Sequence, residues 1–313
     1  MFVKHRKASF AVLLFALALV VPVACKKDVP EKPAIATYAT PDDAGNAVLA
    51  AVQAGDMNGL VAIFGPDSKD IILSGDPVQD KNTASAFVAG YGQMHRWRNL
   101  VDGSQMLLIG ADNFPFPIPL KKSADGKWFF DTAAGKDEVL NRRIGRNELA
   151  TIDVCLAAAE AQAEYYATPH DGDMPKLYAA KFLSDPGKQN GLYWKTQEGQ
   201  PPSPLGPLVA DATAEGYKKA EGPTPFHGYL FRPLKGQTDK APGGAKEYLV
   251  NGKMSGGFAF VAYPAEYGNS GVMTFIINQD GVLLQKDLGK TTAQTAGAMT
   301  QFDPDPAWTI VVP

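Results

Sequence analysis

Cysteine and histidine are scarce in this chain, with two and four among 313 residues. Two cysteines cannot build the disulfide framework of a small secreted scaffold, so a hydrophobic core must hold the fold. Four histidines, one of them His5 near the start of the sequence, leave His95, His170 and His227 as isolated positions. None has a second histidine or a glutamate at helical spacing, and a catalytic zinc site needs three converging ligands with an open position. No metal or cofactor is therefore expected. An excess of positive charge is also missing, since 30 basic residues face 33 acidic ones. That balance argues against a nucleic-acid partner. Long apolar runs are absent beyond residues 10–21. Neither a Gly-x-Ser-x-Gly elbow, a phosphate-cradling Gly-x-x-x-x-Gly-Lys-Ser/Thr loop nor a Gly-x-Gly-x-x-Gly fingerprint occurs, and no catalytic residue is assigned.

The one apolar run follows Lys4, Arg6 and Lys7 with no acid among them. A basic start followed by an apolar stretch is the pattern of a secretory signal. As a helix the run reaches only about 18 Å, short of a hydrocarbon core of roughly 30 Å. Residues 1–24 are thus read as a signal peptide. Ala24-Cys25 at its end resembles the lipobox of bacterial lipoproteins, although Pro22 stands where leucine is usual. The resemblance implies a diacylglyceryl group on Cys25 and membrane lipid as a partner. Lys26 in the next position implies an outer-membrane lipoprotein facing the periplasm. Residues 25–37, charged and proline-bearing, read as anchor and tether. Loss of the signal removes Lys4, Arg6 and Lys7, three of the 30 basic residues, and makes the remainder more acidic.

The rest reads as α+β: N-terminal helices and a small antiparallel sheet over residues 38–135, then a long helix and a second antiparallel sheet over 136–313. Thr40-Pro41-Asp42-Asp43 is a helix start, with Ala44, Ala47, Val48, Ala51 and Val52 on one face. Asp56 caps a second helix that turns Leu60, Ile63 and Phe64 inward, and residues 82–97 form a third. Strands are expected at 105–109, 116–121 and 127–131. This first half resembles the cone-shaped folds of the nuclear-transport-factor-two-like class. A long helix is expected at 136–167 with Leu149, Ile152, Leu156, Ala159 and Ala163 as its apolar stripe and a break at Gly145. A short helix is expected at 174–183, loop over 186–206, and a helix at 207–220. Five strands follow, at 228–232, 247–250, 257–263, 272–277 and 282–288. The turn Asn278-Gln279-Asp280-Gly281 joins the last two.

Few residues invite a chemical reading. Cys155, inside Val154-Cys155-Leu156-Ala157, is expected to be a buried packing residue. Asp171-Gly172-Asp173 looks like a shortened calcium loop but lacks the later oxygen ligands. Arg142, Arg143 and Arg146 form a basic knot between Glu138 and Glu148. It suits clamping an anion, pairing along the helix as in Glu138–Arg142, or fastening one half to the other. Asn113-Phe114-Pro115-Phe116-Pro117-Ile118-Pro119 carries alternate prolines and can pair only along one edge.

An ordered series of short motifs runs through the chain. It includes Gly75-Asp76-Pro77, Trp128-Phe129-Phe130-Asp131-Thr132-Ala133-Ala134-Gly135-Lys136 and Asn141-Arg142-Arg143-Ile144-Gly145-Arg146-Asn147-Glu148-Leu149. Gly191-Leu192-Tyr193-Trp194, Ser203-Pro204-Leu205-Gly206-Pro207-Leu208, Tyr263-Pro264-Ala265-Glu266-Tyr267-Gly268 and Gly271-Val272-Met273-Thr274-Phe275 continue it. Over roughly residues 38–308 this series resembles the bacterial exported family catalogued as domain of unknown function 2950. The resemblance implies export but brings no activity. The second half is also loosely similar to type IV pilin-like heads, although here a whole domain precedes the helix. The expectation is an exported, lipid-anchored envelope protein that binds or scaffolds an envelope protein or glycan. An envelope hydrolase or a small-molecule carrier using the first half is the alternative.

Overall fold

The computed structural model describes residues 35–172, 176–218 and 224–312. The signal segment, Cys25 and the tether to residue 34 lie outside them, as does Asp173. Helix α1 (Pro41–Ala54) begins with a reciprocal cap, because Thr40 Oγ1 accepts from the Asp43 N–H while the Asp43 carboxylate accepts from the Thr40 N–H, each at 3.1 Å. Such a box satisfies two donors that a helix start leaves free. Asp56 caps α2 (Met57–Phe64) through Gly59 N at 2.9 Å. After a 3₁₀ turn at Pro66–Ser68 comes the short α3 (Lys69–Ile72). Helix α4 (Pro77–Gln93) starts earlier than the periodicity predicts, because Asp76 caps it and Pro77 occupies its first position. It also ends earlier: residues beyond Met94 leave the helix and form β1 (His95–Asn99).

The first sheet continues with β2 (Gln105–Ile109), β3 (Phe114–Pro115), β4 (Leu120–Lys122) and β5 (Trp128–Phe130). Its order is β1-β2-β4-β5, with β3 also on β2, and every pairing is antiparallel. The single strand expected at 116–121 is thereby corrected to two short ones. Prolines at 115, 117 and 119 have no N–H to donate, so the ladder lapses until Leu120. Val48, Leu60, Phe64, Leu120 and Phe130 form the core between these helices and the sheet.

Helix α5 (Thr132–Ala167) is 36 residues long and is not broken at Gly145. Asp131 caps it, and Gly135 lets its first turn lie against the backbone of Ile118, whose Cα a methyl group there would meet at 2.6 Å. Its buried face differs from the expected stripe. Leu149 is 66% exposed and Ala163 is exposed, while Ile152, Leu156 and Ala159 sit half-buried at the margin. The inward face instead runs through Arg143, Asn147, Thr151, Val154, Ala158 and Tyr165. Arg143 and Asn147 lie inward because partners from distant segments meet them there, while the Thr151 hydroxyl donates to Asn147 O one turn back at 2.8 Å.

The described part of the helix expected at 174–183 is turn and bridge. Lys176 has φ +73° and Tyr178 N donates to Met254 O at 2.8 Å, so the backbone is drawn into a β-bridge. Helix α6 (Gly206–Glu215) stops at Gly216, with φ +106°, short of the expected 220. The second sheet has the order β14-β13-β12-β11-β6 and is antiparallel throughout. Its strands are β6 (Tyr229–Pro233), β11 (Ala259–Pro264), β12 (Met273–Asn278), β13 (Leu284–Asp287) and β14 (Thr309–Ile310). Two small ribbons intervene, β7 (Gly236–Gln237) with β8 (Lys246–Glu247), and β9 (Leu249–Val250) with β10 (Lys253–Met254). The strand expected at 247–250 is thus divided at Tyr248, which is buried and donates to Gln237 Oε1 at 2.8 Å. The Asn278-Gln279-Asp280-Gly281 turn is present, with Gly281 at φ +73°. Helix α7 (Thr292–Ala298), not anticipated from the sequence, packs on β11 together with α5. Every residue of β11 is buried, so both faces of the sheet are covered.

Cys155 lies in this second core and is 2% exposed. Burial pushes its thiol up to about 12. A raised folded pKa means that the neutral thiol favours the fold. That contribution is complete below the ordinary value of 9.0 and is lost as pH climbs toward 12. Native protein at pH 8 is accordingly expected to leave Cys155 unlabelled by iodoacetamide, with labelling appearing in urea. Rapid native labelling would show that the helix opens.

Candidate functional site

The polar face of α5 meets both halves of the molecule. Arg143 is 6% exposed, and its guanidinium donates to the carbonyls of Asp70 (2.8 Å), Ile71 (2.6 Å) and Leu73 (3.2 Å), and to Asn269 Oδ1. Burial lowers its pKa from the usual arginine value. One turn on, Asn147 accepts from Gln79 Nε2 of α4 at 2.8 Å and donates to Ser270 O at 2.8 Å. Beside it Glu148 Oε1 accepts from the N–H groups of Val272 and Met273, each at 2.9 Å. Burial, and then the nearby Glu148 carboxylate, raise the Tyr229 phenol.

Asp76 completes this junction at 1% exposure. One oxygen accepts from Val78 N and Gln79 N, capping α4, and the other accepts from Tyr217 Oη at 2.7 Å and Gly228 N at 3.1 Å. A buried carboxylate needs such partners to offset its lost hydration. The Tyr217 pKa is raised, first by burial and then by its hydrogen bond to Asp76. The motifs around Asp76, Arg143, Asn147 and Glu148, and those at residues 263–275, are therefore far apart in sequence but interlocked in space. Chemically the arrangement holds segments together: the donors and acceptors at Asp76 and Arg143 are spent on backbone groups and neighbouring side chains.

The three arginines of the knot have different places. Arg142 pairs with Glu138 (2.6 Å), donates to Pro115 O at 2.7 Å and lies over the Phe114 ring. Arg143 is the buried one, and Arg146 is exposed. The histidines do not converge. His95 stacks on Tyr91 at 4.0 Å, His170 stacks on Tyr165 at 3.9 Å, and His227 Nε2 lies 3.4 Å from Glu215 Oε2. None of them meets Asp76, whose carboxylate is taken up by Val78, Gln79, Tyr217 and Gly228. Among the described residues no cluster of three or more histidines, cysteines or acids is placed to hold a metal ion. Nor is any helix among them long and apolar enough to cross a membrane.

An open volume lies elsewhere, in the segment between α5 and β6. A groove of about 870 Å³ is bounded by the 183–195 loop on one side and by α6 with Tyr217 on the other. The loop is tightly made. Ser184 N donates to Tyr193 O at 2.8 Å, Gly191 N to Ser184 Oγ at 3.0 Å, and Asp185 N to Asn190 Oδ1 at 3.0 Å. A methyl group on Gly191 would meet Leu183 C at 2.7 Å, so only glycine fits that turn. Tyr165 ties the end of α5 to the loop through its hydroxyl, which donates to Gln189 O at 2.6 Å. The rings of Tyr193, Trp194 and Tyr217 and the ammonium groups of Lys188, Lys195 and Lys218 all border the groove. Its two acids are engaged: Asp171 accepts from Gln189 N at 2.7 Å, and Asp185 pairs with Lys181 at 2.9 Å. Hydrogen bonds from Asn190 and then Lys181 hold the Asp185 carboxyl below the usual range.

The sequence predicts loop over 186–206 beside a helix at 207–220, with no groove between them. The available signal was that long stretch, which carries Tyr, Trp and Lys among its Gly and Pro, since long ordered loops without secondary structure tend to be functional. Neither the curated proteins nor the solved structures contain a match to the chain. The family model is another matter: the one described as "Protein of unknown function (DUF2950)" matches residues 36–311, a span that takes in the Asp76–Arg143–Asn147 junction and the groove alike, and the chain belongs to that family.

Proposed function

We propose that this is an exported envelope protein, held to membrane lipid through a diacylglyceryl group on Cys25, whose groove binds a sugar polymer and carries out no catalysis. The groove between the 183–195 loop and α6 carries this reading. Aromatic rings offer flat apolar faces to the C–H faces of sugars, and the Gln197 and Gln200 amides bordering the same groove suit hydroxyl groups. A volume of about 870 Å³ suits a few sugar units. Binding is favoured over hydrolysis by the state of the acids. Glycoside hydrolysis needs one carboxyl group kept protonated near neutral pH, whereas Asp185 is pulled the other way. The signal pattern of residues 1–21 and Ala24-Cys25 support the anchor.

Calorimetric titration of the full chain with chitohexaose and with a hyaluronan hexasaccharide tests the groove. Both are expected to bind, and Trp194→Ala is expected to weaken binding about tenfold, the equivalent of about 1.4 kcal/mol, with an unchanged circular dichroism spectrum. Absence of heat with both sugars would sink the glycan reading. Mass spectrometry of the mature N-terminus tests the anchor separately: an unmodified Cys25 removes the lipid and leaves the groove untouched.

A further inference from the structure

One edge of the first sheet is closed and the other is open. At β5 the edge is met by Tyr38, whose backbone exchanges hydrogen bonds of 2.8 Å with Trp128. At the far edge β1 pairs with β2 alone, and four of its five residues are exposed. Two flanking bonds fix the phase of the β1–β2 ladder: Leu100 N donates to Ser104 O at 2.8 Å, and Gly110 N donates to Met94 O at 2.9 Å. Backbone groups alternate in direction along an antiparallel strand, so Met94, Arg96, Arg98 and Leu100 turn theirs toward β2. The N–H and C=O groups of His95, Trp97 and Asn99 therefore point away from the sheet, and none of them is bonded among the described residues. Strand β2 keeps the same phase, since Leu107 O accepts from Phe116 N on its far side at 2.8 Å. Side chains alternate as well. His95 and Trp97 lie on the helix face, where His95 stacks on Tyr91 of α4 and Trp97 Nε1 donates to Asp42 of α1 at 2.9 Å. Arg96 and Arg98 stand on the other face. Neither has an acid partner among the described residues, and Arg98 rests on Met106 Sδ at 3.4 Å.

We infer that the β1 edge binds an extended acidic segment of a partner protein, added to the sheet as a strand antiparallel to β1. The groove plays no part in this. The outward N–H and C=O groups of His95, Trp97 and Asn99 supply the main-chain bonds by which a sheet edge takes up a peptide. An antiparallel newcomer forms hydrogen-bonded pairs at those residues and non-hydrogen-bonded pairs at Arg96 and Arg98. In pairs of the second kind the Cα atoms lie only about 4.5 Å apart, so opposite charges across the strands meet closely. Acids at alternate positions of the partner, facing the two arginines, complete the match. The same arginines disfavour a second copy of this chain. Antiparallel self-pairing centred on Trp97 sets Arg96 of one copy against Arg98 of the other, and like charges on an edge block such pairing.

Two blocked peptides, Thr-Val-Glu-Val-Glu-Val-Thr and its counterpart with lysine in place of both glutamates, test the edge on the full chain. The glutamate peptide is expected to bind about tenfold more tightly than the lysine peptide. Arg96→Glu combined with Arg98→Glu changes exposed side chains only and is expected to reverse that preference. Amide exchange followed by NMR gives the signature of strand pairing. The glutamate peptide is expected to slow exchange at His95, Trp97 and Asn99 and to leave Arg96 and Arg98, already bonded to β2, unchanged. Methylating the valine nitrogens removes the peptide's donors without touching its charge, and is expected to abolish binding whether or not the double variant folds. Equal affinity for the two peptides, or no binding of either, would overturn the inference. So would binding that survives N-methylation or that slows no alternate set of amides, since that is attraction between charges without a strand. If concentrating the chain without peptide slows exchange at His95, Trp97 and Asn99, the edge belongs to a second copy and the acidic partner is overturned.

Discussion

Replacing Arg143 by methionine is expected to destabilise the fold by about 3–5 kcal/mol, because a buried polar group left without its partner costs roughly 1–3 kcal/mol and several are stranded at once. The side chain serves the carbonyls of Asp70, Ile71 and Leu73 and the amide of Asn269, so one truncation leaves acceptors from both halves unpaired. Methionine fills much of the volume, so packing loss is a minor part of the effect. Arg143→Lys should recover little. A lysine offers one compact ammonium group, which cannot span the carbonyls of Asp70, Ile71 and Leu73 as a planar guanidinium does. Urea denaturation followed by fluorescence measures the effect. A loss below about 1 kcal/mol would mean that water replaces the guanidinium and that Arg143 does not tie the halves together.

The second large effect is expected at Asp76. Asp76→Ala removes an N-cap, typically worth about 1 kcal/mol, together with the acceptor for Tyr217 and Gly228. The combined loss is expected at about 2–4 kcal/mol, within the range for breaking a buried network. Asp76→Asn separates the two roles. Asparagine also caps helices well, so α4 should persist, but its NH₂ can accept from neither the Tyr217 hydroxyl nor the Gly228 N–H. Hydrogen exchange should then quicken around residues 206–217 and stay unchanged over 95–109. Uniform quickening throughout would show that Asp76 acts only on global stability and does not dock α6.

These two side chains also mark where the sequence stops being readable. Local signals carried well: Thr40 with Asp43, Asp56 before Gly59, and the Asn278–Gly281 turn act within a few residues and appear as expected. The buried face of α5 did not carry. A search for apolar spacing selects Leu149, which is exposed, and passes over Arg143, Asn147 and Thr151, which are buried. Thr151 is satisfied within the helix by Asn147 O, but Arg143 and Asn147 are interior because distant segments, residues 70–73 and 269–270, supply their partners. No window along the chain contains both sides of such a bond. The groove was hidden for a related reason. Trp194, Lys195 and Tyr217 have no periodicity, and what brings them together is the folding of the 183–195 loop between the end of α5 and α6.

The unbroken α5 sets a length scale for the whole molecule. Its 36 residues span about 54 Å at 1.5 Å per residue. Near its first turn Tyr38, in the segment where the described chain begins, pairs with Trp128 of the adjoining strand. At its last turn Tyr165 holds the loop that bounds the groove. Arg143, Asn147 and Glu148 clasp α5 midway between these ends. The Tyr38–Trp128 pairing and the open cleft thus lie toward opposite ends of one helix, and lengthening or shortening that helix by whole turns would change their separation in steps of about 5.4 Å.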